Sequence, residues 1–514
     1  MRFLKFIVFL AACLAVAIVV LRVLFPLPNQ TERTDSSRIP ASDGTALGAG
    51  VAKAAEAHPD ESGVWPLADG REAYAARVLL ARHAEQSIDL QYYIWQTDTT
   101  GWLLLDEVRK AAERGVRVRM LLDDNGIPGL DEALSALNAL PNVEIRLFNP
   151  FTLRRPKLLS YLFDFPRLNR RMHNKSMTVD GAATVLGGRN IGDIYFGYGT
   201  GVHYYDADVL AIGPVVEKVS EDFDRYWTSA SAFPAELILK DAPEGLSSLD
   251  EMAKEARAGV AAADFVGAIK STTLLQKLEQ GTLEFEWGKV DFFSDDPAKG
   301  LGKADQDDLL LARIIEIAQP KKSFDLVSAY FIPGKRGTDI LTEFAAKGIE
   351  TRVLTNALSA TDVPPVHSAY MKYRDDLVDS GVEVLELRRQ AERPKERNLS
   401  SMIAASASSL HAKTFAIDGE KIFVGSFNFD PRSAQLNTEM GILIPSQRMA
   451  KGLSATLQAS SQVYRVSRNE NGGLIWIETA PDGSEITLTE EPETGAAKRL
   501  FVRFISWLPV EWML

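Results

Sequence analysis

Cysteine is almost absent from this chain: Cys13 is the only one in 514 residues, which excludes an internal disulfide framework and any cysteine-ligated metal site. Histidine is scarce, with six residues, at positions 58, 83, 173, 203, 367 and 411. Basic residues are in deficit as well. The 57 lysines and arginines against 69 acidic residues leave a formal charge of -12. Sequence-independent DNA binding draws its affinity from cations that neutralise phosphates, so nucleic acid is not an expected partner. Any anionic substrate must be met locally. What is present is ordinary globular material, 46% hydrophobic and 25% charged, neither disordered nor multi-span. At this length two core domains and an attached segment are expected.

The attached segment is at the amino terminus. Arg2 and Lys5 precede sixteen uninterrupted apolar residues, Phe6 to Leu21, and Arg22 to Phe25 follow before Pro26 and Pro28. At 1.5 Å per residue the apolar run spans about 24 Å, and a snorkelling Arg22 brings it near the ~30 Å of a hydrocarbon core. Residues 1–28 therefore read as a single membrane anchor. Leu10-Ala11-Ala12-Cys13 also resembles a lipobox, so a lipoprotein acylated at Cys13 is the alternative. Arg2 and Lys5 favour a cytoplasmic start and a periplasmic body, against which stand Arg22, Arg33 and Arg38. Residues 29–63, rich in Ser, Thr, Asp, Gly and Ala without apolar period, read as a tether.

From Gly70 the pattern alternates helix (Glu72 to Glu85), strand (Ser87 to Trp95), helix (Gly101 to Arg114), strand (Val116 to Asp123), helix, and strand (Val143 to Phe148). Such alternation predicts βαβ units in a mixed, mostly parallel sheet flanked by helices. The phrase then returns: Ser323-Phe324-Asp325-Leu326 repeats Ser87-Ile88-Asp89-Leu90, and Ala345-Ala346-Lys347-Gly348-Ile349 repeats the end of the second helix. Asp89 to His173 is 84 residues and Asp325 to His411 is 86, so the halves run in register and a duplication is the economical explanation. We expect a first domain over 64–240, a connection over 241–307 with a helix near Leu249 to Arg257 and a strand near Leu283 to Phe293, a second domain over 308–470, and an extension over 471–514. Arg389 to Leu410 reads as a mobile loop.

The chemistry is carried by His173-Asn174-Lys175 with Asp180 and by His411-Ala412-Lys413 with Asp418, identical in spacing and each ending in an Asp-Gly turn. Residues two apart on a strand share a face, so each His and its Lys look into the same space. Hairpins then deliver Gly187-Gly188-Arg189-Asn190 and Gly425-Ser426-Phe427-Asn428 at equivalent places. One imidazole can attack phosphorus and the other can shuttle the proton of the leaving and incoming alcohols. Lys175 and Lys413, with Asn190, Asn428 and Ser426, would stabilise the non-bridging oxygens. The scheme calls for no metal and no cofactor. A carboxylate beyond each hairpin would fix each ring's tautomer, Glu439 for His411 and Asp206 or Asp208 for His173. Asp180 and Asp418 count with the catalytic set by motif, although Asp-Gly is also plain turn chemistry.

These motifs resemble the phospholipase D superfamily. Arg170 to Ser176, Gly187 to Asp193, Asp208 to Pro214 and Gly425 to Ser433 are similar to the bacterial cardiolipin synthase C type. The resemblance implies a duplicated fold with the active site between the halves. It also implies transfer of a phosphatidyl group, from phosphatidylethanolamine or phosphatidylglycerol, to phosphatidylglycerol at a membrane, with His173 as nucleophile and His411 as acid and base. A hydrolytic phospholipase D is the rival among enzymes, and an inactive membrane scaffold is the rival of another class. One departure stands out: the superfamily's usual Gly-Ser is Gly187-Gly188 at the first site, which shifts phosphate contacts there to backbone amides, Asn190 or Arg189. Two further features suit a lipid: the aromatic tail Arg499 to Leu514 as an interfacial element, and the cluster Arg154, Arg155, Lys157, Arg167, Arg170 and Arg171 as a collector of anionic head groups.

Overall fold

The structure, a computed structural model, describes residues 2–198, 204–259, 272–389, 409–459, 462–480 and 482–514, with isolated positions between 260 and 271. Most of the predicted loop Arg389 to Leu410 lies outside the described residues. The elements of the first half form where apolar period and caps coincide. Asp69 caps helix Gly70–His83 by accepting from the amides of Arg71 and Glu72, and Asp98 caps Thr99–Glu113 through Gly101. The strands between are short and almost entirely buried.

Across the first sheet the strands run Glu286–Gly288, Ser62–Leu67, Asp208–Ile212, Ala183–Gly187, Ser176–Val179, Ser87–Tyr92, Arg117–Asp123, Val143–Phe148 and Ala232–Pro234. Across the second they run Asp291–Ser294, Met440–Ile444, Lys421–Gly425, Lys413–Ile417, Ser323–Ser328, Glu350–Asn356, Glu383–Leu387, Val463–Arg468, Leu474–Thr479 and Glu485–Leu488. The duplication is visible in the central strands, while Glu286–Gly288 in the first sheet and Leu474–Thr479 and Glu485–Leu488 in the second have no counterpart. Even the buried ion pairs repeat, Asp89 with Arg119 and Asp325 with Arg352. Breaking such a pair strands a charge in the core, at a cost of about 3–5 kcal/mol.

The sheets are mixed, but the expectation of mostly parallel pairing is corrected. Only the three strands joined by crossover helices are parallel in each half. The motif hairpins pair antiparallel because a tight turn can only reverse the chain, and the strands that flank them in each sheet are antiparallel as well.

Two linking segments also differ from expectation. The stretch 29–63 is a strap docked on the first half and not a free tether. Arg33 donates to the carbonyls of Ser229 and Ala232, Asp35 pairs with Arg146, Arg38 pairs with Glu217, and helix Ala46–Ala55 buries Leu47 and Val51. These anchors are polar or short, so no apolar period announces them. The connection is divided between the halves: its helix Gly245–Ala258 packs on the first core, strand Glu286–Gly288 extends the first sheet, and Asp291–Ser294 extends the second.

Candidate active site

Each motif histidine lies just ahead of a strand, His173 before Ser176–Val179 and His411 before Lys413–Ile417. The last residue of a parallel strand one place further into the sheet clamps the entry to each. Asp123 accepts from the amide of Met172, and Asn356 accepts from the amide of Leu410 at the equivalent place. Neither was singled out from the sequence, although Asp123 ends a predicted strand and Asn356 ends the equivalent strand of the second half. The motif aspartates hold strands as well. Asp180 and Asp418 adopt positive φ ahead of glycines that do the same, and their carboxylates accept from the amides of residues 85–87 and 321–323. Their oxygens serve the backbone, not the reacting groups.

The halves complete each other. His173 Nδ1 lies 2.8 Å from Glu439 Oε2 of the second half, and His411 Nδ1 lies 2.5 Å from Asp206 Oδ2 of the first. The expected pairing is therefore reversed: each histidine is seated by the other half's carboxylate. Backbone contacts follow the same exchange, His173 N–H to the Thr438 carbonyl and His411 N–H to the Tyr205 carbonyl. Asp208 orients neither ring, because Arg77 and the Arg189 amide hold it.

The Gly188 departure now has a reason. A Cβ there would lie 2.0 Å from Asp206 Oδ1, so the first site has no room for a serine beneath its carboxylate. At the second site Ser426 fills that place and donates to Glu439, as does Ser433. Ser426 thus supports the carboxylate and is not free for phosphate. Arg189 is not available either: its guanidinium is buried against the carbonyls of Leu67, Ala68, Tyr195 and Asp206. Asn190 accepts from the Ile94 amide, which leaves its Nδ2 beside the Tyr195 hydroxyl, and Asn428 Oδ1 has no partner among the described residues. Of the expected phosphate ligands Asn190, Arg189, Ser426 and Asn428, the two asparagines are the ones not consumed by backbone carbonyls or by Glu439.

The basic cluster proposed as a collector of head groups is for the most part already paired with acids. Arg154 pairs with Asp124 and Asp131, Lys157 with Asp124, Arg167 with Asp164, and buried Arg171 with Asp123. Arg170 is spent on the carbonyls of Lys299 and Gln435. A further acid, Asp295, sits behind Glu439 and accepts from its amide while pairing with Lys299. It lies in the connection, where no motif points to it.

Electrostatics separate the two histidines. At His173 the Nδ1 faces two acceptors, Glu439 Oε2 and the Ser426 carbonyl at 3.1 Å, so the proton resides there and Nε2 keeps its lone pair. Burial, with Lys175, Lys413 and His411 adding to it, pushes this imidazole far below its ordinary range. Burial also pushes Glu439 up to about 7. His411 is lowered by burial and Lys413 but supported by Asp206, whose carboxylate stays below its ordinary value because Lys413 and His411 outweigh its desolvation. The ring beside the firmly ionised acid is the easier one to protonate.

Lys175 and Lys413 each turn back to the carbonyl of their own histidine. Burial pushes Lys175 down to about 7. It is charged below that value and neutral above it, so anion binding weakens as pH rises. Sulfate, whose charge is constant over this range, is expected to bind with an affinity falling toward about tenfold per unit above pH 7. Lys175→Arg should flatten that dependence, and calorimetric titration across pH reads it.

Fold and site together define a phospholipase D-like protein with one composite site per chain. A family model described as cardiolipin synthase, PLD-like domain, matches twice, over residues 79–227 and 313–460. The chain belongs to this family. It is 44% identical over 461 residues to cardiolipin synthase C of Escherichia coli, covering 89% of this chain and 97% of that protein. An uncharacterized protein of Helicobacter pylori is 34% identical over 458 residues, covering 86% and 89%. Among solved structures, phosphatidylserine synthase of Haemophilus influenzae superposes with a TM-score of 0.55 at 14% identity, covering 90% of this chain and all of that one. That likeness concerns the fold.

Proposed function

We propose that the chain is a phosphatidyltransferase that makes cardiolipin from phosphatidylglycerol and a second phospholipid. The observation that carries this is the exchange of carboxylates, which locks two imidazoles with opposite proton demands into one buried site. Nε2 of His173 attacks phosphorus, the bond to the head-group oxygen breaks, and that oxygen takes a proton from His411. His411 then removes the proton from a phosphatidylglycerol hydroxyl, whose oxygen displaces the histidine nitrogen. Lys175, Lys413, Asn190 and Asn428 are the groups we assign to the phosphoryl oxygens.

The surroundings of His411 favour an amine-bearing donor. Tyr204 lies flat on the imidazole at 4.8 Å, and its hydroxyl and that of Tyr330 both donate to exposed Asp362, at 2.7 and 2.9 Å. In an in-line displacement the head group leaves on the acid's side, past this carboxylate. Phosphatidylethanolamine presents an ammonium there. Asp362→Asn is expected to raise KM for it about tenfold over that for phosphatidylglycerol as donor, equivalent to ~1.4 kcal/mol.

The decisive assay incubates the purified protein with both lipids. Cardiolipin with released ethanolamine supports the proposal, whereas phosphatidic acid without cardiolipin identifies a hydrolase. For localisation we propose a cytoplasmic membrane protein with a single amino-terminal anchor and a periplasmic body. The helix Arg2–Leu24 is long and apolar enough to cross, with none of its residues buried, and its leading charges are Arg2 and Lys5. Protease access in spheroplasts tests the orientation.

A further inference from the structure

The amino-terminal helix Arg2–Leu24 meets the body through Arg22 and through Phe25, the residue that follows it. Arg22 Nε donates to the Phe163 carbonyl at 2.7 Å, Thr152 Oγ1 donates to the Phe25 carbonyl at 2.9 Å, and the Phe25 and Phe163 rings stack. Where that helix leaves the hydrocarbon core, the helix Ser160–Leu168 must therefore lie at the same depth. Its outward face agrees. Leu162 and Phe165, with Leu158 and Leu159 of the turn that leads into the helix, are exposed, an unusual group for a water-facing surface.

This apolar face continues across the chain's other end. Phe165 meets the Trp512 ring edge-on at 6.5 Å. The helix Ala496–Ser506 turns Val502 inward and leaves Leu500, Phe501 and Phe504 exposed, followed by exposed Trp507 and Leu508. Arg503 is exposed on the same helix. Aromatic residues beside a cation suit the zone where acyl chains meet head groups.

The face is also fixed to the catalytic machinery. Arg432, four residues beyond Asn428, donates to the carbonyls of Asn169 and Met513, and its amide donates to the Leu514 carbonyl. Arg432 thus pins both apolar elements beside the second motif.

We infer that Leu158 to Phe165 and Leu500 to Trp512 form one membrane-seated rim, continuous with the anchor, that holds the active-site mouth at head-group level. A lipid then reaches the histidines without fully leaving the bilayer. The inference concerns seating and does not depend on which lipid reaction follows.

The single native cysteine makes the test clean. In full-length protein carrying Cys13→Ser, a nitroxide is attached at Leu162→Cys, at Trp507→Cys and, as a water-facing control, at Lys335→Cys. Each is reconstituted in vesicles of phosphatidylglycerol and phosphatidylethanolamine, and power saturation compares collisions with oxygen and with a water-soluble nickel chelate. The expected result is an oxygen-to-nickel ratio several-fold higher at 162 and 507 than at 335. A ratio equal to that at 335 overturns the inference. Protection from both reagents also overturns it, because a second copy or another protein would then cover the face. The readout is independent of turnover, so failure of the transferase reading leaves it intact.

Discussion

His173→Ala is expected to abolish turnover and to leave no lipid phosphate on the protein, whereas His411→Ala should still become labelled at His173 and fail to release the label. The asymmetry follows from the two ring environments. His173 keeps Nε2 unprotonated because Nδ1 is held by Glu439 and the Ser426 carbonyl, and burial resists any further proton. In the proposed mechanism His173 is the group that forms the bond to phosphorus. Without His411 the attack still occurs, but an alkoxide must leave unprotonated and the acceptor hydroxyl has no base, a loss of about 10²–10⁴ in rate at each step. Quenched incubation with phosphate-labelled lipid, followed by peptide mapping, checks this. Label on residue 411 in His173→Ala would reverse the assignment.

The second large effect concerns the exchanged carboxylates. Glu439→Gln and Asp206→Asn keep shape but replace an acceptor of the ring proton with an amide that can present a donor. A flipped tautomer is costly, and losses of about 10²–10⁴ in kcat are expected. The two should differ in kind. Glu439→Gln disables the nucleophile, so the covalent form accumulates slowly and then breaks down at the ordinary rate. Asp206→Asn disables the acid and base, so both formation and breakdown slow together. Rapid-quench measurement of the covalent intermediate separates the cases. Equal, small effects in both variants would mean that the rings are held by their backbone contacts, His173 to Thr438 and His411 to Tyr205.

Much of the site was legible because it is local. His and Lys two residues apart, an Asp-Gly turn closing the strand, and a second copy at equal spacing are statements about neighbours along a strand. The duplicated order of helices and strands was legible for the same reason. Harder to read were properties that depend on what is packed against a residue. Arg189 and Ser426 stand where phosphate ligands are expected, yet Arg189 is consumed by backbone carbonyls and Ser426 by Glu439. The arginines before His173 look like an anion collector until Asp123, Asp124, Asp131 and Asp164 are found opposite them.

By itself, then, the sequence determined the repeated unit, the paired histidines and lysines, the candidate carboxylates and the apolar anchor, since each is written in spacing or composition. Only the tertiary structure decided which carboxylate serves which histidine, and that the answer crosses between the halves. The physical reason is that Asp206 and Glu439 occupy equivalent positions in the repeat, just ahead of the strands Asp208–Ile212 and Met440–Ile444. From the sequence both could turn to their own half. The pairing of Met172 with Thr438, and of Leu410 with Tyr205, brings each acid to the opposite ring, and no single half contains that information.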